Sequence, residues 1–435
     1  MFFYSTNNKQ LKVDLQQAVT QGLAPDNGLY MPERVPVLPK EFFDSLPDRS
    51  FREIAFEVAF SLLGEDVPEV ELRRIVDHTI QFEAPVVKVE EDVYALELFH
   101  GPTLAFKDFG ARFMSQLLGY FAAKQEREIV ILVATSGDTG SAVANGFLGV
   151  PGTRVIVLYP SGKVSEIQEK QFTTLGRNVT ALEIAGTFDD CQHLVKQAFL
   201  DADLKEKFFL TSANSINIAR LIPQSFYYFQ AWAQVKHLNQ PVVFSVPSGN
   251  FGNLTGGLLA KRMGLPVAKF VACTNVNDVV PEYLHTQKFV PRASTQTISN
   301  AMDVGNPSNF VRMLDLYDHD FEALSKDIFG CAFTDRETRD AMRHVQQHGK
   351  YLTDPHGAVG YLGVKKYLSQ HPSHTGIFLE TAHPGKFSEV VEETLNKKVP
   401  LPERLNEFLV RKKESVPLSN RYNELKAYLN ATLGG

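Results

Sequence analysis

At 435 residues, with 44% hydrophobic and 22% charged residues, the chain has the composition of a folded protein of two or three domains. The formal net charge of -6 argues against nucleic acid or an anionic membrane as the main partner. The cysteines, Cys191, Cys273 and Cys331, are odd in number and far apart, so neither a disulfide framework nor a metal site is expected.

The N-terminal sequence predicts a cytoplasmic protein. MFFYSTNNKQ turns polar after three apolar side chains, which is too short for a signal peptide. No later apolar run approaches the length needed to span a bilayer. We therefore expect no membrane partner.

Residues 1–84 are expected to form an accessory domain. From Phe51 to Leu63 apolar residues recur at helical spacing, which predicts one helix with a stripe that packs on a larger body. Gly64 is the expected end of that helix.

The segment HGPTLAFKDFG, residues 100–110, places Lys107 among apolar and small residues. A partly desolvated lysine has a lowered pKa, and its amine is then free to attack a carbonyl group as a Schiff-base nucleophile. The alternative is an ordinary lysine at a helix start, with its stem on the core and its charge in water. Taken alone, this segment leaves both interpretations open.

From about residue 85, apolar runs alternate with glycine-containing loops and amphipathic helices, which indicates parallel sheets covered by helices. Residues 129–158 and 241–274 share the order strand, Ser-Gly-x-x-Gly loop, helix, strand. Two similar α/β halves that face one another across a cleft would explain this repeat.

The two Ser-Gly-x-x-Gly loops begin at Ser136 and Ser248. Such a loop can bind an anion through converging backbone N–H groups and the N-terminus of the following helix. It can equally be a tight strand-to-helix turn, and the sequence leaves both open. Neither loop matches a dinucleotide or nucleotide-phosphate fingerprint, so two such loops with an isolated lysine suggest a phosphorylated carbonyl cofactor and an anionic substrate.

Residues 211–224, TSANSINIARLIPQ, concentrate Asn214, Ser215, Asn217 and Arg220 ahead of an aromatic helix. These groups either cap the helix or bind a phosphate or carboxylate, for which Arg220 has the matching geometry. Lys163 is a second candidate for the same anion.

Four histidines are candidates for functional roles. His344 and His348 stand at i, i+4 without an intervening glutamate, which favours a solvated helix face over a metal site. His356 in DPHGAVG and His383 in TAHPGKF lie in turn-rich loops, where acid–base roles compete with simple backbone contacts.

Taken together, the motifs resemble the threonine synthase family. The resemblance rests on GLAPDNGLYMP, HGPTLAFKDF, ATSGDTGSA, SINIARLIPQ, PSGNFGN, DPHGAVG and TAHPGKF, which follow in order along most of the chain. Asn7 and Asn27 depart from the family pattern, in the N-terminal domain and not at the residues of the chemistry.

The resemblance implies an α/β fold of the fold-type-II class, similar to tryptophan synthase β, with two parallel-rich α/β domains and an N-terminal accessory domain. The expected division is 1–84 for the accessory domain, 85–128 with 236–388 for the large cofactor-binding domain, 129–235 for the small domain, and 389–435 for a C-terminal helical segment. The implied cofactor is pyridoxal 5'-phosphate, bound in the cleft.

Site residues are carried over from the same resemblance. Lys107 would hold the cofactor as a Schiff base and serve as the catalytic base, and Thr381 would meet the pyridine nitrogen. The expected cofactor-phosphate loop comprises Ser248, Gly249, Asn250, Phe251, Gly252 and Asn253. Of the expected substrate-binding residues, Thr135, Ser136, Asp138 and Thr139 belong to the first loop, which the resemblance assigns to the substrate carboxylate. Lys163, Asn214, Asn217 and Arg220 are our candidates for the leaving phosphate from their chemistry, and no metal site is expected. The carboxylate of Asp138, close to two anions, must be protonated, paired or turned away.

The implied activity is conversion of O-phospho-L-homoserine and water to L-threonine and phosphate, through γ-elimination and β-addition of water. One alternative is a phospho-lyase or a serine/threonine dehydratase-like enzyme that stops at elimination. The other is a non-catalytic protein that binds the cofactor or a metabolite. The sequence leaves the oligomeric state open.

Overall fold

The computed structural model describes residues 1–124 and 127–433, and three β-sheets organise these ranges. Across the same ranges, none of the helices has the length and apolar character that a membrane crossing requires.

The N-terminal region carries a three-stranded antiparallel sheet in the order β2-β1-β3. Its elements are β1 (Phe3–Ser5), β2 (Asn8–Val13), α1 (Leu15–Gln21), β3 (Tyr30–Pro32), α2 (Lys40–Ser45), α3 (Phe51–Leu63) and α4 (Glu69–Thr79). The helix predicted over Phe51–Leu63 is confirmed as α3, with Gly64 at its C-terminal cap. Ser50 caps its first turn reciprocally with Glu53, and its apolar stripe is buried in the main core.

The next part of the chain alternates strands and helices. Its elements are β4 (Val86–Glu90), β5 (Val93–Glu97), α5 (Lys107–Ala122), β6 (Ile129–Ala134), α6 (Asp138–Phe147), β7 (Thr153–Pro160), α7 (Glu166–Thr173), β8 (Val179–Ala185), α8 (Phe188–Leu200), α9 (Ala202–Lys207) and β9 (Phe209–Ser212). Helix α5 lies deep in the core, where Phe109 packs on Tyr227 and Phe113 on Phe226.

The remaining elements complete two larger sheets. They are α10 (Ile218–Leu221), α11 (Phe226–Val235), β10 (Val242–Pro247), α12 (Gly252–Arg262), β11 (Val267–Thr274), α13 (Val279–Thr286), α14 (Phe310–Leu316), α15 (Phe321–Asp327), β12 (Ile328–Ala332), α16 (Asp335–His344), α17 (Pro355–Leu368), β13 (Thr375–Glu380), α18 (Ser388–Leu395), α19 (Glu403–Val410), β14 (Val416–Ser419) and α20 (Tyr422–Leu433).

A six-stranded sheet has the order β12-β11-β10-β13-β5-β4, and every pair except β4 with β5 is parallel. A five-stranded, all-parallel sheet has the order β14-β8-β7-β6-β9. The predicted repeat is confirmed, since β6-α6-β7 and β10-α12-β11 are both parallel strand–helix–strand units. The expected domain limits stay a prediction.

The C-terminal segment differs from the helical segment that the sequence suggested. Strand β14 joins the edge of the five-stranded sheet beside β8, and Leu425 and Leu429 of α20 are buried in the core of that sheet. A four-residue strand on a sheet edge has too few residues to show a clear period in the sequence, and its partner is distant along the chain.

Candidate active site

Lys107 is the first residue of α5, and the turn before it is fixed to the end of β13. The Phe106 N–H donates to the Thr381 carbonyl over 2.9 Å, and Ala105 bridges to Ala382. Leu104 adopts a left-handed conformation, φ 55°, which reverses the chain before the helix. The amine of Lys107 and the hydroxyl of Thr381 are thereby placed on one cavity.

Asp108 holds the segment that precedes this turn. Its carboxylate accepts hydrogen bonds from the Thr103 N–H over 2.8 Å and from the Thr103 hydroxyl over 2.7 Å. Burial raises the pKa of Asp108, against the lowering effect of these Thr103 hydrogen bonds. Asp108 therefore shapes the loop, and the neighbouring Lys107 is left free for the cavity.

The cavity is lined by residues that follow strands of both larger sheets, among them Thr139 after β6 and residues 249–253 after β10. Nine of the predicted site residues line it: Lys107, Thr139, Arg220, Gly249, Asn250, Phe251, Gly252, Asn253 and Thr381. Residues from widely separated parts of the sequence therefore meet at one place.

The loop between β10 and α12 presents consecutive backbone N–H groups. Within the described ranges, the N–H groups of residues 249–253 donate to no protein acceptor, whereas the Ser248 N–H is committed to the Cys273 carbonyl. Phe251 has a left-handed conformation, φ 59°, immediately before the first turn of α12. Free N–H groups at a helix N-terminus are suited to a phosphate.

Neighbouring residues hold this loop in place. The Asn250 carbonyl accepts from the Asn309 N–H over 3.2 Å, and the Asn250 side chain accepts from the Ser308 N–H over 3.2 Å. The Asn253 amide accepts from the Ser248 hydroxyl over 2.8 Å and donates to the Pro247 carbonyl over 2.9 Å. The donors are therefore preorganised rather than gathered by a ligand.

The loop between β6 and α6 has a second set of free donors. The Thr135 hydroxyl accepts from the N–H groups of Gly137 and Gly140, over 2.9 and 2.8 Å, which closes the loop. In the described part of the chain, the N–H groups of Ser136, Asp138 and Thr139 find no protein acceptor. Thr139 lines the cavity, whereas the side chain of Ser136 is exposed.

Asp138 is paired, which is one of the three outcomes considered from the sequence. Its Oδ1 lies 2.7 Å from Lys386 Nζ and accepts from the Gln168 amide over 2.9 Å. Burial opposes ionisation of Asp138, but the charges of Lys386 and Lys107 outweigh it and hold the pKa of the carboxyl well below its usual range. Asp138 is therefore a carboxylate in a buried ion pair.

Arg220 is a buried cation on the cavity wall. One guanidinium nitrogen donates to the Ala213 carbonyl over 2.6 Å, and Nε has no partner in the described structure. Burial lowers the pKa of Arg220 to about 10. A buried guanidinium without a carboxylate partner is costly, and an anionic ligand would offset that cost.

Burial also lowers the pKa of Lys107, to about 8, with Asp138 acting in the opposite direction and Arg220 and Lys386 reinforcing it. A substantial fraction of the amine is therefore neutral near pH 8, as nucleophilic attack on a carbonyl group requires.

Three of the residues predicted to bind substrate lie elsewhere. Lys163 is exposed on the turn after β7, and Asn214 is half-buried outside the cavity lining. Asn217 caps α10 through the Ala219 N–H and donates to the Val19 carbonyl over 2.8 Å, so its amide is occupied by backbone groups. None of these three side chains lines the cavity.

Two titratable residues at or beside the cavity, Lys386 and His356, were not among the predicted site residues. Lys386 belongs to TAHPGKF, and its side chain is fully excluded from solvent. His356 lines the cavity, where its Nε2 accepts from the Ala301 N–H and its Nδ1–H donates to Asp354 over 2.6 Å. The sequence pattern that could have indicated Lys386 is a lysine set among small and aromatic residues, which is the same pattern that indicated Lys107.

Comparison with known proteins agrees with this geometry. Residues 79–377 match the family described as pyridoxal-phosphate dependent enzyme, residues 2–80 match the threonine synthase N terminus, and residues 357–429 match the threonine synthase C-terminal family. The threonine synthase of Haemophilus influenzae is 46% identical over 430 residues, which cover 99% of both chains.

Solved structures give the same result. The crystal structure of threonine synthase from Escherichia coli superposes with a TM-score of 0.91 at 43% identity, covering 99% of this chain and 100% of that one. The structure of PLP-bound threonine synthase from Brucella melitensis has a TM-score of 0.94 at 33% identity, with 100% of both chains covered.

The fold and the site define a fold-type-II enzyme whose cofactor is pyridoxal 5'-phosphate. The predicted fold class and cofactor are thereby confirmed. The chain belongs to the threonine synthase family, and it is a pyridoxal-phosphate-dependent lyase of amino-acid biosynthesis.

Proposed function

We propose that this enzyme converts O-phospho-L-homoserine and water to L-threonine and phosphate. The observation that carries the proposal is one amine of lowered pKa, Lys107, in a cavity that also holds Arg220 and borders two loops with free N–H groups. The proposed substrate carries a carboxylate and a phosphate, and the cofactor adds a second phosphate. A cytoplasmic location remains a prediction.

The residues present fit the cofactor. The N–H groups of residues 249–253 would hold its phosphate, Lys107 would bind its carbonyl carbon, and the Thr381 hydroxyl would meet the pyridine nitrogen. When bound, pyridoxal phosphate supplies an electron sink for a carbanion at the substrate Cα. A hydroxyl at the position of Thr381 does not hold the ring protonated as a carboxylate would, so this sink is moderate.

Lys107 is the proposed base. In the substrate complex the amine of Lys107 would be free, and burial favours its neutral form, which accepts a proton. It would take a proton from Cα and then one from Cβ, and the γ-phosphate would leave with the electrons of its bond to Cγ. A proton would then return to Cγ, the hydroxyl of a water molecule would add at Cβ, and a proton would return to Cα, with the remaining proton carried away by the phosphate.

The anionic ends of the substrate need separate partners. The N–H groups of Ser136, Asp138 and Thr139 are the proposed donors for the substrate carboxylate. Of the four side chains first considered for the leaving phosphate, Arg220 lines the cavity, whereas Lys163, Asn214 and Asn217 do not. We therefore assign the leaving phosphate to Arg220, which would stabilise charge as it develops.

Product analysis of the cofactor-loaded protein with O-phospho-L-homoserine tests this function. We expect L-threonine and phosphate in equal amounts, with Lys107→Ala inactive and Arg220→Met more affected in its steady-state rate than in cofactor content. Phosphate with 2-oxobutyrate would favour the phospho-lyase or dehydratase-like alternative. No turnover despite bound cofactor would favour the non-catalytic alternative.

A further inference from the structure

A buried series of polar contacts joins the start of α5 to the start of α6. Asp108 holds Thr103 through two hydrogen bonds, and the Thr103 carbonyl accepts from Lys386 Nζ over 2.8 Å. Lys386 Nζ also lies 2.7 Å from Asp138, the first residue of α6. Lys386 therefore contacts both the loop that precedes Lys107 and the loop proposed for the substrate carboxylate.

The two charges depend on each other. The Lys386 side chain has no exposed surface and that of Asp138 is 8% exposed, so either charge alone would be buried without a counter-charge. An unpaired Asp138 would place a negative charge at the N-terminus of α6, where the substrate carboxylate is proposed to bind. It would also stabilise the charged form of Lys107, the form that cannot attack a carbonyl group.

We propose that Lys386 is a positioning residue that neutralises Asp138, so that the loop at the start of α6 accepts the substrate carboxylate and Lys107 keeps a reactive amine. The proposal rests on the proposed function only for the identity of the substrate. The effect on Lys107 is independent of the reaction and is measurable in the cofactor-free protein.

The charged and titratable groups around Lys107 come from four elements: Asp138 on α6, Arg220 on α10, Lys386 in the turn after β13, and His356 on α17. Asp138 raises the pKa of Lys107, and Arg220 and Lys386 lower it.

Lys386 itself faces two further titratable groups. Its charge opposes the burial that raises the pKa of Asp108, and it adds to the burial that lowers the pKa of His383. Loss of Lys386 and loss of Asp138 therefore move the pKa of Lys107 in opposite directions, whereas general loosening of the cavity would relieve its burial in both variants and move both pKa values upward.

The test measures how the rate of reductive methylation of Lys107 depends on pH, in cofactor-free protein, by mass spectrometry of the peptide that contains it. We expect the midpoint to rise by about one pH unit or more in Lys386→Met and to fall by a similar amount in Asp138→Asn. The double variant Lys386→Met/Asp138→Asn should return close to the wild-type midpoint. Unchanged midpoints in both single variants, or shifts in the same direction, would overturn the proposal.

Folding of each variant is checked by circular dichroism and denaturant titration. Each single variant leaves one charge buried alone, Asp138 in Lys386→Met and Lys386 in Asp138→Asn. Because Asp138→Asn preserves the side-chain shape, Lys386→Met is the variant at greater risk. If Lys386→Met does not fold, Asp138→Asn decides, because a midpoint that fails to fall contradicts the role of the pair.

The holoenzyme gives an independent readout. With O-phospho-L-homoserine, Lys386→Met should raise KM by about tenfold or more, equivalent to about 1.4 kcal/mol, and the double variant should recover most of that loss. Midpoints that shift as expected in a protein that makes no L-threonine would refute the proposed function and leave the role of Lys386 intact. A KM unchanged in Lys386→Met would remove the substrate part of the proposal.

Discussion

Gly249 stands where the proposed phosphate loop touches the turn at residues 300–302. A Cβ at this position would lie 2.6 Å from the Ala301 carbonyl oxygen and 3.0 Å from Met302 Cα. Both neighbours are backbone atoms, and both residues line the cavity. Gly249→Ala must therefore displace either the loop or the turn that faces it.

The size of the effect follows from that geometry. A movement of about 0.4 Å is needed to reach 3.0 Å, the shortest separation that a Cβ normally tolerates. Overpacking of this kind costs about 1–3 kcal/mol. If the displacement falls on the N–H donors of residues 249–253, cofactor affinity should fall by about 5- to 150-fold.

Affinity is measured by titrating cofactor-free protein with pyridoxal phosphate and following absorbance, with thermal unfolding recorded at each concentration. Gly162→Ala is the control, because Gly162 has φ 67° on a surface turn with no atom within 4 Å of the added Cβ. It should lose stability through backbone strain and keep its cofactor affinity. A Gly249→Ala protein that binds the cofactor within about twofold of wild type would refute the assignment of this loop.

Three further predictions concern single side chains. Lys107→Met should abolish turnover yet stabilise the cofactor-free protein by about 1–3 kcal/mol at pH 7. The pKa of Lys107 is about 8 in the folded protein, against an ordinary value of 10.5. The burial of Lys107 therefore lowers the free energy of unfolding by its full amount below pH 8, and by progressively less as the pH rises to 10.5. Denaturant midpoints of the wild type and the variant at pH 7 and 10 measure this difference. Arg312→Met should lower the free energy of unfolding by about 2–4 kcal/mol. The buried guanidinium of Arg312 donates to the carbonyls of Tyr30 and Ile216, over 2.9 and 2.7 Å, and the variant leaves both acceptors without this donor. Urea titration measures the loss. Thr381→Val removes one hydroxyl, so it should reduce kcat while the free energy of unfolding changes by less than about 1.5 kcal/mol, the net worth of one hydrogen bond. A kcat equal to that of the wild type would contradict contact between Thr381 and the pyridine nitrogen.

Local patterns were sufficient for several parts of this structure. Apolar spacing with Ser50 before it and Gly64 after it defined α3, because capping and periodicity act within a few residues. Glycine-rich loops between apolar runs indicated both strand–helix–strand units, because a turn and the strand before it are also defined by residues close together in the sequence. Lys107 was recognisable because a lysine among apolar residues is rare in any fold.

Other polar residues could not be assigned from the sequence. Asn217 looked like an anion ligand, but a side-chain amide serves a helix cap and a ligand equally well, and only its contacts with Ala219 and Val19 distinguish the two. The charge of Lys163 suits an anion in any fold, but only the tertiary structure places this side chain on the exposed surface.

The sequence by itself indicated the class of fold and the cofactor, through the family resemblance of its short motifs, and it singled out Lys107 as the proposed reactive lysine. The tertiary structure alone decided that Asp138 is paired, that Lys386 is its partner, and that β14 closes the edge of the five-stranded sheet. These contacts join residues far apart along the chain, and their energies depend on burial, which the packing of the whole molecule sets.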